Sequence, residues 1–94
     1  MGIKNNTYIC GGNIMPEVFR LYGFSYLFHS REHEPLHIHV EGKDGFAKYS
    51  LIEGCFVMDY AEGITPADLK RIEKTISNNK DLIINKWNEY FKNR

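Results

Sequence analysis

The side chains best suited to chemistry are concentrated in one short stretch of this sequence. All four histidines, His29, His33, His37 and His39, lie within eleven residues. Imidazole changes its charge near neutral pH and also ligates metal ions, so a histidine cluster indicates acid–base chemistry or metal binding. His37 and His39 are two positions apart, and residues with that spacing point to the same side of a β-strand. The sequence therefore predicts that these two rings share one small site.

Three interpretations of the cluster remain open from the residues alone. In the first, the histidines are polar residues on the solvent face of a sheet. In the second, His37 and His39, joined by His33 or His29 and with Glu41 as a further candidate ligand, bind a divalent metal, for which zinc, nickel and iron are candidates. In the third, the site carries out metal-free phosphodiester chemistry on RNA. One histidine then takes the 2′-hydroxyl proton, another protonates the leaving oxygen, and Lys48 or Arg31 stabilises the phosphate charge.

The segment that follows the cluster predicts a β-hairpin. Asp44-Gly45 is typical of a two-residue hairpin turn, and the resulting register places Glu41 opposite Lys48. Alternation then predicts two faces. The apolar face carries Ile38, Val40, Tyr49 and Leu51, and the polar face carries His37, His39, Glu41, Lys48 and Ser50. We expect helices to cover the apolar face and the histidine face to stay open.

Other patterns predict the elements around this hairpin. The aromatic run 18–29, broken by Gly23, predicts two strands or one strand with a bulge, and the apolar run 55–58 predicts another strand. Thr65-Pro66 is a helix start signal, and a second helix is expected from Lys80. We predict an α+β domain over residues 15–94, an antiparallel meander of about four to five strands with two C-terminal α-helices packed on one face. Residues 1–14 are predicted to be an N-terminal extension.

Composition limits the class of partner. The 94 residues carry 12 Lys and Arg against 12 Asp and Glu, which removes any bulk electrostatic case for nucleic-acid or membrane binding and leaves only local charge. Cys10 and Cys55 are far apart and are expected to be reduced thiols. No apolar run approaches the length of a membrane span or a signal peptide, so we expect a cytoplasmic protein with no membrane partner.

Four segments carry a resemblance to a known family. They are Met15-Pro16-Glu17-Val18, the aromatic strand around Gly23-Phe24, the stretch His33-Glu34-Pro35-Leu36-His37-Ile38-His39-Val40, and the helix end Trp87-Asn88-Glu89-Tyr90-Phe91. Together they resemble a small prokaryotic family, domain of unknown function 4160. The hallmark of that family is His-x-Pro-Pro-His-x-His-Val. Leu36 stands where its second proline is usual, and all three histidines are in place. The resemblance extends over nearly everything from Met15 onward.

The resemblance implies a context rather than a mechanism. Members are often encoded beside a second small domain, domain of unknown function 2442, in an arrangement like that of a toxin–antitoxin pair. By that analogy the chain is the toxin, a possible ribonuclease whose site is His33, His37 and His39, with Lys48 and Arg31 as the cations. The alternatives are a metal-binding domain on the same histidines and a non-catalytic protein-interaction module.

Overall fold

The computed structural model describes residues 17–28 and 36–92, which form five β-strands followed by two α-helices. This arrangement confirms the predicted α+β class. The elements are β1 (Glu17–Leu21), β2 (Phe24–Leu27), β3 (His37–Glu41), β4 (Phe46–Ile52), β5 (Cys55–Glu62), α1 (Pro66–Asn78) and α2 (Lys80–Lys92).

The strands form a single antiparallel meander in the order β1-β2-β3-β4-β5, so the histidine strand β3 lies at its centre. Two of the hairpins turn through residue pairs with positive φ, Tyr22-Gly23 and Glu53-Gly54. Two consecutive positive φ angles are typical of the type I′ turn, whose twist matches that of the flanking strands. The break predicted at Gly23 is therefore confirmed as the β1–β2 turn.

The predicted register of the β3–β4 hairpin is wrong by two residues. The amide of Gly42 donates to the carbonyl of Gly45 at 2.8 Å, so the turn is centred on Lys43 and Asp44 rather than on Asp44 and Gly45. Gly45 serves a different purpose, because the backbone of Glu62 occupies the place where a Cβ at this position would lie. A shift of two residues keeps every side chain on its predicted face and changes only its cross-strand partner.

The last strand is also longer than the sequence predicts. The sequence predicts that this strand covers the apolar run 55–58 and ends at the turn-like stretch 59–63, yet β5 continues to Glu62 and pairs with β4 throughout. A register shift opposite Lys48 and Tyr49 leaves Asp59 as the extra residue of a β-bulge. The bulge lets a charged residue lie within the strand, and this is why the local pattern resembles a turn.

The two helices begin where the sequence indicates. The side chain of Thr65 accepts a hydrogen bond from the amide of Asp68 at 3.1 Å, which satisfies a free donor of the first turn. Asn79 separates α1 from α2, and its side chain donates to the carbonyl of Thr75 at 2.8 Å. The ammonium group of Lys80 then donates to the carbonyl of Gly54, which ties the start of α2 to the β4–β5 turn.

The core lies between one face of the sheet and the helices, as predicted. Tyr49 on β4 donates its hydroxyl to the carboxylate of Glu73 on α1 at 3.0 Å, which fixes α1 over that face. Ile38 and Val40 are fully buried there. The other members of this core are Tyr26, Phe28, Ala47, Tyr49, Ile72, Ile76, Ile83 and Trp87. We call this surface of the sheet the helix face and the opposite one the histidine face.

Candidate functional site

The structure brings His37 and His39 together on the histidine face. Their ring centroids are 5.4 Å apart and the rings meet edge to face, at an interplanar angle of 82°. The two-residue spacing on β3 produces this arrangement, because every second side chain of a strand points to the same side. The sequence prediction that these two rings share one site is therefore confirmed.

The histidine face is not exposed to solvent at its centre, so the prediction that it stays open is wrong there. His37 is 3% exposed and His39 is 7% exposed. The reason lies in the sheet, since β3 has neighbours on both sides and buried Leu27 of β2 is paired with His39. The Trp87 ring also lies 5.4 Å from the His37 ring. A phosphate group therefore reaches these imidazoles only if their surroundings move.

The register brings a cation beside the histidines. Lys48 lies directly opposite His39, and Ser50 lies opposite His37. Side chains that are directly opposite on an antiparallel pair are close neighbours. The Lys48 side chain is 27% exposed, so it reaches solvent at a position next to the buried rings. The four side chains form a compact group of two imidazoles, one ammonium and one hydroxyl.

Asp59 is a member of this site that sequence reasoning missed. Its carboxylate accepts a hydrogen bond from the Ser50 hydroxyl at 2.5 Å and lies 3.9 Å from the Lys48 ammonium. The bulge in β5 places it there. The available signal was an acidic residue within an otherwise apolar and aromatic stretch, and alternation alone gives such a residue no partner.

Glu41 does not have the partner that the sequence predicted. It lies opposite Phe46 on β4 and opposite Ser25 on β2, and it is exposed. The predicted Glu41–Lys48 pair is therefore wrong, because the hairpin register differs by two residues. Asp59 is instead the acidic neighbour of Lys48, so the charge of that lysine is already partly balanced at the site.

Comparison with known proteins identifies the family. The family model described as domain of unknown function (DUF4160) matches residues 23–88, which is more than half of the chain. The chain belongs to this family. The matched DUF4160 region contains the whole of β2 to β5, the helix α1 and most of α2. No curated protein and no solved structure matches the chain significantly.

The remaining predicted site residues of this DUF4160 chain are His29, His33 and Arg31. They lie outside the described residues. Residues 1–14, predicted to be an extension, lie outside them as well. Within residues 17–28 and 36–92, no group of three or more His, Cys, Asp or Glu side chains could hold a metal ion. The metal hypothesis therefore depends on His33 or His29, which lie outside the described residues, joining the pair on β3.

The two helices of this DUF4160 domain were compared with the length and apolar character of a membrane span. Over the described part of the chain, no helix combines the length and the apolar character needed to cross a membrane.

Proposed function

We propose that this domain is the RNA-directed component of a toxin–antitoxin-like pair and that the histidine face carries out phosphodiester chemistry. The observation that carries the proposal is the position of Lys48 directly opposite His39 on the face that also holds His37. Two imidazoles can act as general base and general acid, and an ammonium can stabilise the developing phosphate charge, so this set is sufficient for metal-free RNA cleavage. The family resemblance supplies the toxin–antitoxin context.

The proposed step transfers the phosphoryl group within the RNA strand. One imidazole takes the proton of the 2′-hydroxyl, and the 2′-oxygen forms a bond to the adjacent phosphorus. The bond from phosphorus to the 5′-oxygen breaks, and the second imidazole donates a proton to that leaving oxygen. The products are a 2′,3′-cyclic phosphate and a 5′-hydroxyl. Lys48 balances the additional negative charge on the phosphate oxygens.

Burial sets the order in which these groups meet RNA. Lys48 is partly exposed and contacts the phosphate first, whereas His37 and His39 are nearly covered. Cleavage therefore includes a rearrangement around the rings, and we expect turnover to be slow. Asp59 competes with the phosphate for Lys48 through their 3.9 Å contact, so RNA binding at this face requires that contact to open.

The test is cleavage of single-stranded RNA by the intact chain and by single variants. We expect His37→Ala and His39→Ala each to lower the cleavage rate at least 100-fold, the order lost with a general acid or base. Lys48→Ala should lower it at least tenfold. The matched control is Lys43→Ala, which removes an exposed lysine from the β3–β4 turn. Far-UV circular dichroism verifies that each variant folds. Unchanged cleavage in both folded histidine variants contradicts the proposal.

The metal hypothesis is decided by elemental analysis. It is carried out on protein purified without a histidine tag, so that the tag contributes no ligands. Near-stoichiometric zinc, nickel or iron that is lost in His37→Ala would replace the metal-free mechanism with a metal site formed with His33. Metal-free protein that cleaves RNA supports the metal-free mechanism.

A second candidate function is that of a protein-interaction module, and the edge strand β5 favours it. Val57, Met58 and Tyr60 are large apolar side chains and are all exposed on this strand, which pairs only with β4 in the described sheet. An exposed edge strand is a template for pairing with a second chain. The proposed partner is the adjacent-gene antitoxin-like protein of the domain of unknown function 2442 type.

Copurification tests this second function. The domain is coexpressed with the adjacent-gene protein, and Val57→Lys together with Tyr60→Lys is expected to abolish the copurified complex. The matched control is Leu82→Lys, an exposed apolar residue on α2. If the β5 variant still copurifies its partner, the edge strand is not the interface. If it loses the partner while the histidine variants retain full RNA cleavage, the interaction function replaces the histidine-site proposal.

A further inference from the structure

A second charged feature lies on the other side of the sheet, between the β1–β2 turn and α1. A groove of about 450 Å³ separates the tip of this hairpin from the helix. We call it the basic groove. The residues that define it chemically are Tyr22, Lys70, Arg71, Lys74, Asn78 and Asn79. Because α1 covers the helix face, this groove is separate from the site formed by His37 and His39.

All the charged side chains that line the basic groove are positive. Lys70, Arg71 and Lys74 line it, and no carboxylate side chain is among the lining residues. Arg71 is paired with Asp68 at 3.7 Å. Among ion pairs between described residues, none involves Lys70 or Lys74, and both side chains are exposed. The groove therefore keeps two ammonium groups for an anionic ligand, although the chain as a whole is neutral.

The spacing along α1 places these charged groups in a row parallel to the helix axis. Lys70, Lys74 and Asn78 are four residues apart, so they form one stripe along the helix with a rise of about 6 Å between successive members. Two cations and an amide donor in a row suit a chain of phosphates better than a single compact anion. This geometry favours a polymer that lies along the helix.

Tyr22 adds an aromatic surface at one end of the stripe. It is 62% exposed at the tip of the hairpin, and its ring lies 5.1 Å from the Arg71 guanidinium carbon. Its φ of 53° is a conformation that Asn, Asp and Gly adopt more readily than an aromatic residue. The turn thus holds an exposed aromatic ring where a smaller residue would be favoured. Exposed rings beside cations stack on unpaired bases.

We infer that the basic groove binds single-stranded RNA, with phosphates on Lys70 and Lys74 and a base stacked on Tyr22. A single strand fits because stacking on a side chain requires an unpaired base. The choice of RNA rests on the proposed function, whereas the groove itself is independent of the histidine face. Arg71 stabilises the Tyr22 ring in the position that receives the base.

The first test measures binding by fluorescence anisotropy with a labelled ten-nucleotide RNA. The RNA carries 2′-O-methyl groups, which block attack by the 2′-oxygen, so binding is measured without cleavage. Lys70→Gln together with Lys74→Gln is expected to weaken binding at least tenfold and to reduce the slope of log affinity against log salt by about 1.4, since each phosphate contact on a single strand contributes about 0.7. Lys43→Gln with Lys86→Gln is the control, because it removes the same charge outside the groove.

Equal losses in the groove variant and in the control contradict the inference, because they show an effect of net charge alone. Unchanged binding in the groove variant also contradicts it. If unmodified RNA is not cleaved, only the proposed function of the histidine face is contradicted. Loss of binding in the groove variant is measured separately and tests the basic groove alone. The failures of the two proposals are therefore distinguishable.

The second test addresses the aromatic ring. Tyr22→Asn suits the positive φ and keeps the fold, yet it removes the stacking surface, so we expect binding to weaken about tenfold. Tyr22→Phe keeps the ring and is expected to bind within about twofold of the original chain. Inorganic polyphosphate is the comparison ligand, and its binding should respond to the lysine variant but not to Tyr22→Asn. RNA binding that is insensitive to Tyr22→Asn overturns the stacking assignment.

Discussion

The two faces of the central strand β3 are both buried, but their chemistry is opposite. Ile38 and Val40 are buried on the helix face, and His37 and His39 are buried on the histidine face. The helix face forms an apolar core with α1 and α2. The histidine face instead has an ammonium, a hydroxyl and a carboxylate next to its rings. The buried residues of this strand therefore have two different roles. Those on the helix face stabilise the fold, and those on the histidine face position polar groups.

The largest expected effect comes from removing side-chain volume on the helix face. Ile38→Ala leaves a cavity against α1 and α2, and we expect the free energy of unfolding to fall by about 3 kcal/mol. Urea denaturation monitored by circular dichroism measures the change. His39→Ala, on the neighbouring position of the same strand, should cost clearly less. A cost for His39→Ala as large as that for Ile38→Ala would remove the distinction between the two faces.

A smaller effect is expected at the contact that joins the helix face to α1. Tyr49→Phe removes the hydrogen bond to Glu73 but keeps the aromatic ring, so we expect a loss of about 1.5 kcal/mol in the free energy of unfolding. The control is Tyr60→Phe, since Tyr60 is exposed on the histidine face. Equal effects of the two substitutions in urea denaturation would show that Tyr49 does not fix the helix.

The same tyrosine predicts a pH dependence. Burial, followed by the hydrogen bond to Glu73 and its negative charge, raises the pKa of Tyr49 above its usual value of 10, and burial also raises the pKa of Tyr26. The unfolded chain ionises these phenols at lower pH than the folded chain does. Their contribution to stability is therefore complete below pH 10 and is lost as the pH rises above it. We expect Tyr49→Phe to make the fall in melting temperature above pH 10 smaller, as measured by thermal denaturation at a series of pH values.

The smallest effect is expected at the charged edge of the histidine face. Asp59→Asn weakens a partly exposed contact with Lys48 and should change the free energy of unfolding by only about 0.5 kcal/mol. The same change frees Lys48 for phosphate, so RNA cleavage at low substrate concentration should increase. A large loss of stability with no change in cleavage would assign Asp59 to the fold alone.

Local signals made much of this fold predictable. The Thr65-Pro66 start of α1, the turn at Gly23 and the shared face of His37 and His39 depend on residues within a few positions of each other. The features that the sequence did not reveal depend on distant contacts. A glycine is needed at position 45 because the backbone of Glu62 leaves no room for a Cβ there. The Asp44-Gly45 pair therefore reflects this close contact and not the position of the turn.

Burial and charge pairing at the site were less predictable for the same reason. Trp87 lies fifty positions after His37 in the sequence and yet lies close to its ring. The contact between Lys48 and Asp59 requires both the register of β4 with β5 and the bulge. Neither leaves a periodic pattern that alternation alone could identify.

The most direct test of the central claim is the RNA cleavage rate of His39→Ala at a temperature where near-UV circular dichroism shows it to be folded. If the histidine face carries out the chemistry, the RNA cleavage rate of His39→Ala is at least 100-fold lower than that of the original chain. The same measurement on the control Lys43→Ala should stay within about twofold of the original chain, as expected for a surface position outside the site. A folded His39→Ala protein that cleaves RNA at the original rate would contradict the assignment of this face to RNA chemistry.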